Sequence, residues 1–240
     1  YFEYDTKKSG GVTKSHLRFG PRPIRSSYLV TGADFVACHN PTYINRYDVV
    51  SDLKPGGVLL LNCSWGAGEL ENSLSAPVKR AVCEKKIRFY TIDATRIAHE
   101  AGLGNRTNTV LQAAFFKLSG VLPLEQAVNY VKQAIEKTYR SKGKAVLEMN
   151  FAAVDRGIAG VTEVTVPPSW ADALDQAGPS CSPFFEGPSK LAAYVAHVLE
   201  PVNQLQGDAL PVRVFASMAD GTVPLGTYRF AKRGIAVPVP

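Results

Sequence analysis

Three apolar runs decide the fold: Ala33-Asp34-Phe35-Val36-Ala37-Cys38, Val58-Leu59-Leu60-Leu61 and Ile87-Arg88-Phe89-Tyr90-Thr91-Ile92. Each has strand length, and between them lie stretches that read as helical. Asn40-Pro41 offers an N-cap followed by a helix-compatible proline. The expected helix runs to about Leu53, with Ile44, Tyr47 and Val50 on its inner face, and Lys54-Pro55-Gly56-Gly57 stops it. A loop over 62–69 and a helix over 74–85 lead to the third run. Starts at residues 33, 58 and 87, with helical patterns between, are the rhythm of βαβ units and predict a parallel sheet with right-handed crossovers. Ligands bind such sheets beyond the carboxyl ends of the strands. Here those ends are His39-Asn40, Asn62-Cys63-Ser64 and Asp93-Ala94.

Upstream, Tyr1–Asp5 and Val12–Phe19 read as two strands joined by the basic, glycine-bearing loop Thr6-Lys7-Lys8-Ser9-Gly10-Gly11. Downstream, Ala94–Ala101 predicts a short helix closed by Gly102-Leu103-Gly104. Asn108–Leu118 is apolar on most sides and predicts a core helix. Leu124–Tyr139 carries Leu124, Ala127, Val128, Val131 and Ile135 at helical spacing, and another helix begins near Val146. Thr162–Val166 is strand-like. Residues 177–188 are rich in Gly, Pro and Ser and read as a linker. Lys190–Val202 is amphipathic. The remainder, 206–240, reads as short extended pieces that make no core alone. The expected architecture is α/β: a mainly parallel sheet with helices on both faces, then a small irregular connector domain. The expected boundaries are 1–168 for the sheet domain, 169–187 for the linker and 188–240 for the connector. Both termini read as cut from a longer polypeptide.

Composition narrows the function. The 240 residues carry a net charge of +6, but the lysines and arginines are spread along the chain and no nucleic-acid motif accompanies them. No apolar run approaches the length of a membrane helix. None of the four cysteines is in CxxC spacing, so neither zinc nor an iron–sulfur cluster is signalled. Adjacent Cys38 and His39 point to opposite faces of a strand and cannot form a dyad. The expectation is no catalytic residue and no metal ligand in this chain. A nucleotide-dependent dehydrogenase domain is disfavoured because no GxGxxG follows a strand.

Several strings, in order, resemble one family. They are Tyr4-Asp5-Thr6-Lys7-Lys8-Ser9-Gly10-Gly11-Val12-Thr13, Phe35-Val36-Ala37-Cys38-His39-Asn40-Pro41 and Phe89-Tyr90-Thr91-Ile92-Asp93-Ala94. Gly102-Leu103-Gly104-Asn105-Arg106-Thr107-Asn108, Gln112-Ala113-Ala114-Phe115-Phe116-Lys117 and Glu148-Met149-Asn150 follow, with a tail from Asp220-Gly221-Thr222 to Val237. The chain resembles the third domain of pyruvate:ferredoxin (flavodoxin) oxidoreductases, with the lead into a ferredoxin-like domain. The resemblance implies an enzyme that converts pyruvate and coenzyme A to acetyl-CoA and carbon dioxide. Thiamine diphosphate and 4Fe-4S clusters sit on other domains, and electrons pass to ferredoxin, flavodoxin or a fused reductase. It implies a homodimer in the cytoplasm, or in an organelle in a eukaryote, built with the remaining domains of the same polypeptide. It also places a further coenzyme A loop before Tyr1. Another 2-oxoacid, NADP as acceptor, or a purely structural module are the alternatives.

The resemblance assigns this segment to coenzyme A binding through one of Lys7 and Lys8, through Arg106 and Asn108, and through Asn150. The chemistry agrees. Coenzyme A carries several phosphates, which call for cations and N–H donors beside a glycine-bearing turn or a helix start. Asn105 stands between two roles, ligand contact and helix N-cap. Asn62-Cys63-Ser64 faces either a ligand or a neighbouring domain, and Asp93 either caps the next helix or touches a ligand.

Overall fold

The structure, a computed structural model, describes residues 2–4, 12–25, 29–174, 190–203, 207–218 and 220–227. Lys7, Lys8 and most of the expected linker lie outside the described residues. The first two strands, β1 (Phe2–Tyr4) and β2 (Thr13–Ser15), pair antiparallel as a short ribbon. An ion pair from Lys14 to Asp52 links this ribbon to the loop that enters the main sheet.

The main sheet has the order β3-β4-β5-β6. Strands β3 (Ala33–Cys38), β4 (Leu53–Asn62) and β5 (Arg88–Ile92) are parallel, and β6 (Thr162–Glu163) closes the far edge antiparallel to β5. Alternation along β4 divides the core into two layers. Leu59 and Leu61 face one layer with Val78, Val82, Phe89 and Trp170, and Leu60 faces the other with Ile92, Ile97, Val110, Leu111 and Ala153. Helices α1 (Ala67–Ser73) and α2 (Ala76–Glu84) supply the first layer. The second is built by α3 (Ala94–Glu100), α4 (Asn108–Ser119) and α6 (Lys144–Ala159). Helix α5 (Leu124–Tyr139) packs outside α4 and α6 through Val131 and Ile135 against Ala113 and Val154. The α/β architecture with helices on both faces is therefore the one the apolar spacing predicts.

Four local expectations need correction. Residues 41–53 form no α-helix: only a 3-10 turn, Pro41–Tyr43, stands between β3 and β4. Thr, Tyr, Ile, Asn, Asp and Val are weak helix formers, and side-chain hydrogen bonds hold a loop instead. Asn40 Oδ1 accepts from the Thr42 N–H, Asp48 Oδ1 from the Ser51 N–H, and Asn45 Oδ1 from the Ser75 N–H. Ile44, Tyr47 and Val50 are nevertheless buried. Strand β4 begins at Leu53 rather than Val58, because Lys54–Gly57 bulge within it and Gly56 takes φ +73°. Strand β3, whose short apolar run reads as a buried strand, is an edge strand with only Cys38 fully buried. The expected loop over 62–69 holds only from Cys63 to Gly66, because helix α1 begins at Ala67; two glycines mask it, while Glu69 Oε2 accepts the Gly66 N–H at 2.9 Å and fastens its start.

After β6, a 3-10 turn at Pro168–Asp172 buries Trp170 against Phe89. Trp170 Nε1–H donates to Glu71, and Arg80 donates to the Ala173 carbonyl, so these residues pack on the sheet domain. The last described part holds α7 (Lys190–Tyr194), a π-helical turn (Val195–Leu199) and α8 (Glu200–Asn203). The segment beyond, expected to be extended, forms 3-10 turns at Gly207–Ala209 and Val212–Met218. Val214 and Met218, one turn apart, pack there on Tyr194 and Val198 as a small separate core.

Candidate functional site

The turn between α3 and α4 is shaped by two glycines in the left-handed region, Gly102 at φ +80° and Gly104 at φ +59°. Between them Leu103 is buried and pins the turn to the core. A Cβ added at Gly102 would lie 3.2 Å from Sδ of Met149, so α6 passes directly over this glycine. Arg106 and Asn108 are exposed on the outer side of the turn. Thr107 places no side-chain hydrogen bond on the start of α4. The first-turn N–H groups are thus not satisfied by a cap residue, and they carry the positive end of a 12-residue helix dipole.

Asn150 lies across from this turn on α6, only 4% exposed. Its Nδ2–H donates to the Val146 carbonyl at 2.8 Å, and its Oδ1 accepts from Thr109 Oγ1 at 3.2 Å. That bond ties the first turn of α4 to the middle of α6. The structure therefore brings Arg106, Asn108 and Asn150 to one corner of the molecule, with Asn150 as its buried post. The cap role considered for Asn105 is not the one observed: Asn105 Oδ1 meets His99 Nε2 at 2.9 Å.

His99 also belongs to an open cleft of about 430 Å³ at the carboxyl ends of the strands, lined by Pro41, Asn62, Cys63, Ser64, Asp93, Thr95 and Arg96. Cys63, Ser64, Asp93 and Arg96 continue into a second hollow of about 520 Å³ that reaches Trp170. Asn62 is a buried latch here: its Nδ2–H donates to the His39 carbonyl at 3.0 Å and its Oδ1 accepts the Ala94 N–H at 2.9 Å. Asp93 caps α3 by accepting the Arg96 N–H at 2.9 Å. Arg96 is held by Glu100 at 2.7 Å and by Asp93 at 3.5 Å. Sequence reasoning missed Thr95, Arg96 and His99 as cleft residues. Their 95/96/99 spacing on a helix that begins at a strand end was the available signal.

Burial holds the Cys38 and Cys63 thiols in their protonated form. Burial pushes the Cys38 thiol up to about 11 and also raises the Cys63 thiol above its usual value. A thiol is a nucleophile only as its thiolate. Cys38, the last residue of β3, is buried, while His39 just beyond the strand is exposed. Among the described residues, no group of three or more His, Cys, Asp or Glu side chains could hold a metal ion, and Cys38, Cys63 and Cys83 are free. The described residues therefore do not fit a 4Fe-4S cluster. No helix among them is long and apolar enough to cross a membrane.

These features define a class: a helix-covered, mainly parallel α/β domain with an uncapped helix start and a cleft on its strand ends. The family model for pyruvate ferredoxin/flavodoxin oxidoreductase matches residues 1–160, and a second model, described as a domain of unknown function, matches residues 185–236. The chain belongs to the pyruvate ferredoxin/flavodoxin oxidoreductase family. It is 50% identical over 240 residues to the pyruvate:ferredoxin oxidoreductase of Moorella thermoacetica, covering all of this chain and 20% of that protein. It is 49% identical over 240 residues to the pyruvate-flavodoxin oxidoreductase of Klebsiella pneumoniae, again all of this chain and 20% of that one. A pyruvate dehydrogenase [NADP(+)] of Cryptosporidium parvum is 41% identical over 260 residues, with all of this chain covering 13% of it. The chain thus spans about a fifth or less of these relatives' length. Among solved structures, the pyruvate oxidoreductase subunit PORC of Thermotoga maritima aligns with TM-score 0.45 at 22% identity, over 55% of this chain and 66% of that one.

Proposed function

We propose that this chain is the coenzyme A-holding and docking segment of a larger pyruvate oxidoreductase. The whole enzyme converts pyruvate and coenzyme A to acetyl-CoA and carbon dioxide and passes two electrons to ferredoxin or flavodoxin. Thiamine diphosphate and 4Fe-4S clusters act on other domains. The segment's contribution is positional. A thiol held in place adds to a bound intermediate without the entropic cost of a bimolecular encounter.

One observation carries the reading beyond family membership. The Thr109–Asn150 bond joins α4 to α6 at the same corner where Arg106 and Asn108 stand exposed beside uncapped N–H donors. A cation, amide donors and a helix start suit the phosphates of coenzyme A. Lys7 or Lys8 supplies a further cation from the basic loop. Docking is supported by Leu17, Phe19, Ile24 and Leu29, each more than a third exposed. The stretch is held together by the Arg18 bond to the Leu29 carbonyl, at 2.8 Å, and by Phe19 resting on Phe115. Exposed apolar side chains gathered in this way mark an interface, here with the remaining domains of the same polypeptide. On this reading the sheet domain spans 1–168 with residues 169–173 packed on it, the linker continues to 187, a connector spans 188–240, and the whole enzyme is a cytoplasmic homodimer. NADP as acceptor is the second reading, favoured by the NADP(+) enzyme of Cryptosporidium parvum.

Calorimetry of coenzyme A binding to the intact enzyme tests the proposal. Asn108→Ala and the Lys7→Ala/Lys8→Ala pair should each weaken binding about tenfold or more, as expected for charge-assisted hydrogen bonds. Unchanged affinity in both would refute it.

A further inference from the structure

The His99–Asn105 contact has a consequence for the direction of a neighbouring amide. Asn105 Oδ1 lies 2.9 Å from His99 Nε2, and an amide oxygen can only accept. In this orientation His99 is the Nε2–H tautomer and donates to Asn105. With its oxygen turned to His99, the Asn105 side chain turns its NH2 group away from α3. A free asparagine on an exposed turn can flip and offer either end. Here a histidine in the last turn of the preceding helix faces the amide, and as its Nε2–H tautomer it holds the oxygen inward.

We infer that His99 is a positioning residue that makes Asn105 a donor, aiming its Nδ2–H groups to the outer side of the Gly102–Thr107 turn where Arg106 and Asn108 hold an anion. The inference rests on the coenzyme A reading and deepens it: Asn105 becomes a phosphate contact, and His99 acts through it without touching the ligand. Three features keep the arrangement in place. Gly102 and Gly104 adopt backbone angles that carry the turn back toward α3. Leu103 N–H donates to the Ala98 carbonyl at 2.8 Å, one residue from His99. Met149 covers Gly102 from the other side. The histidine is thus held at the reach of a single hydrogen bond from the amide it orients.

The test uses the intact enzyme and coenzyme A itself, with KM for coenzyme A, KM for pyruvate and kcat measured for each variant. His99→Ala should raise KM for coenzyme A about fivefold and leave KM for pyruvate and kcat in place, because one orienting hydrogen bond is removed. His99→Gln, which keeps a donor, should restore most of the loss. Asn105→Asp is the decisive variant. A carboxylate accepts from His99 at least as well as the amide does, so the turn stays folded, but it replaces an N–H donor with a negative charge. KM for coenzyme A should rise more in Asn105→Asp than in Asn105→Ala, by about tenfold or beyond, with thermal stability unchanged. A merely structural role for the pair predicts the opposite, an Asp variant that behaves as wild type, and that result would overturn the inference. If Arg106→Ala and Asn108→Ala weaken coenzyme A while His99→Ala and Asn105→Asp do not, the inference fails and the coenzyme A reading stands. If all four leave KM for coenzyme A unchanged, both fail.

Discussion

Replacing Gly157 with alanine should loosen the corner that holds Asn108 and Asn150, although the same change usually strengthens a helix. Gly157 sits inside α6 where it crosses α4. A Cβ built there would lie 2.7 Å from the Val110 carbonyl oxygen, 3.1 Å from Val110 Cα and 3.3 Å from Ala113 Cβ. The two nearest atoms are backbone and cannot rotate aside, so α4 must retreat by roughly half an ångström, and overpacking of this kind costs about 1–3 kcal/mol. Against it stands the helix preference of alanine over glycine, about 1 kcal/mol. The clash wins or breaks even, for a net loss of about 0–2 kcal/mol. Gly68, in α1, is the control: a Cβ there meets nothing within 4 Å, so Gly68→Ala should gain a few tenths to about 1 kcal/mol. Hydrogen exchange of the α4 and α6 amides in the intact enzyme measures the difference locally. Gly157→Ala should speed exchange in both helices, up to about tenfold for each 1.4 kcal/mol, and weaken coenzyme A. Slower exchange in α4 and α6 than in wild type would refute the close-packing argument.

Asn62→Ala should destabilise the strand-end cleft by about 2–6 kcal/mol, because the His39 carbonyl and the Ala94 N–H each lose a partner at about 1–3 kcal/mol; exchange at Ala94 and the start of α3 reports it, and wild-type protection there would contradict the latch. Trp170→Ala should cost about 3–5 kcal/mol as a buried aromatic against Phe89. A thermal shift as small as that of an exposed-residue control would mean that residues 168–173 do not belong to the sheet domain's core. Cys38 gives a pH dependence with a definite sign. Its thiol titrates near 9.0 in the unfolded chain and is pushed up to about 11 by burial in the folded one, so the folded state binds more protons between those values. Its contribution to stability is complete below pH 9 and is lost as pH rises toward 11. Denaturant midpoints of wild type and Cys38→Ala should converge over that interval, and parallel curves would show that burial does not hold the thiol.

The parts of the fold legible in the sequence were those with strong periodicity. Leu124–Tyr139 and Asn108–Leu118 carry enough apolar residues at helical spacing to be bounded within a residue, and the run Val58–Leu61 marks the buried centre of the sheet. The segment after Asn40-Pro41 misled because its apolar spacing at Ile44, Tyr47 and Val50 is satisfied equally by a loop whose polar side chains bind backbone groups. Helix α1 was invisible because two glycines dilute its pattern, and only Glu69 reaching back to Gly66 marks its start. At the site, Arg106, Asn108 and Asn150 came from the resemblance, and no spacing rule brings residue 150 to residue 109. That neighbourhood is made by the α4–α6 crossing. The His99–Asn105 pair was equally hidden, since a turn with two left-handed glycines decides which side chains meet across it.

A cryo-EM structure of the intact enzyme with coenzyme A bound tests the central claim most directly. The account predicts phosphate oxygens within hydrogen-bonding distance of Arg106, of Asn108 or the first N–H groups of α4, and of Asn105 Nδ2, with Asn150 unmoved behind them. Coenzyme A density on a different surface of this domain, or on other domains alone with the turn at 102–108 facing solvent, would contradict it.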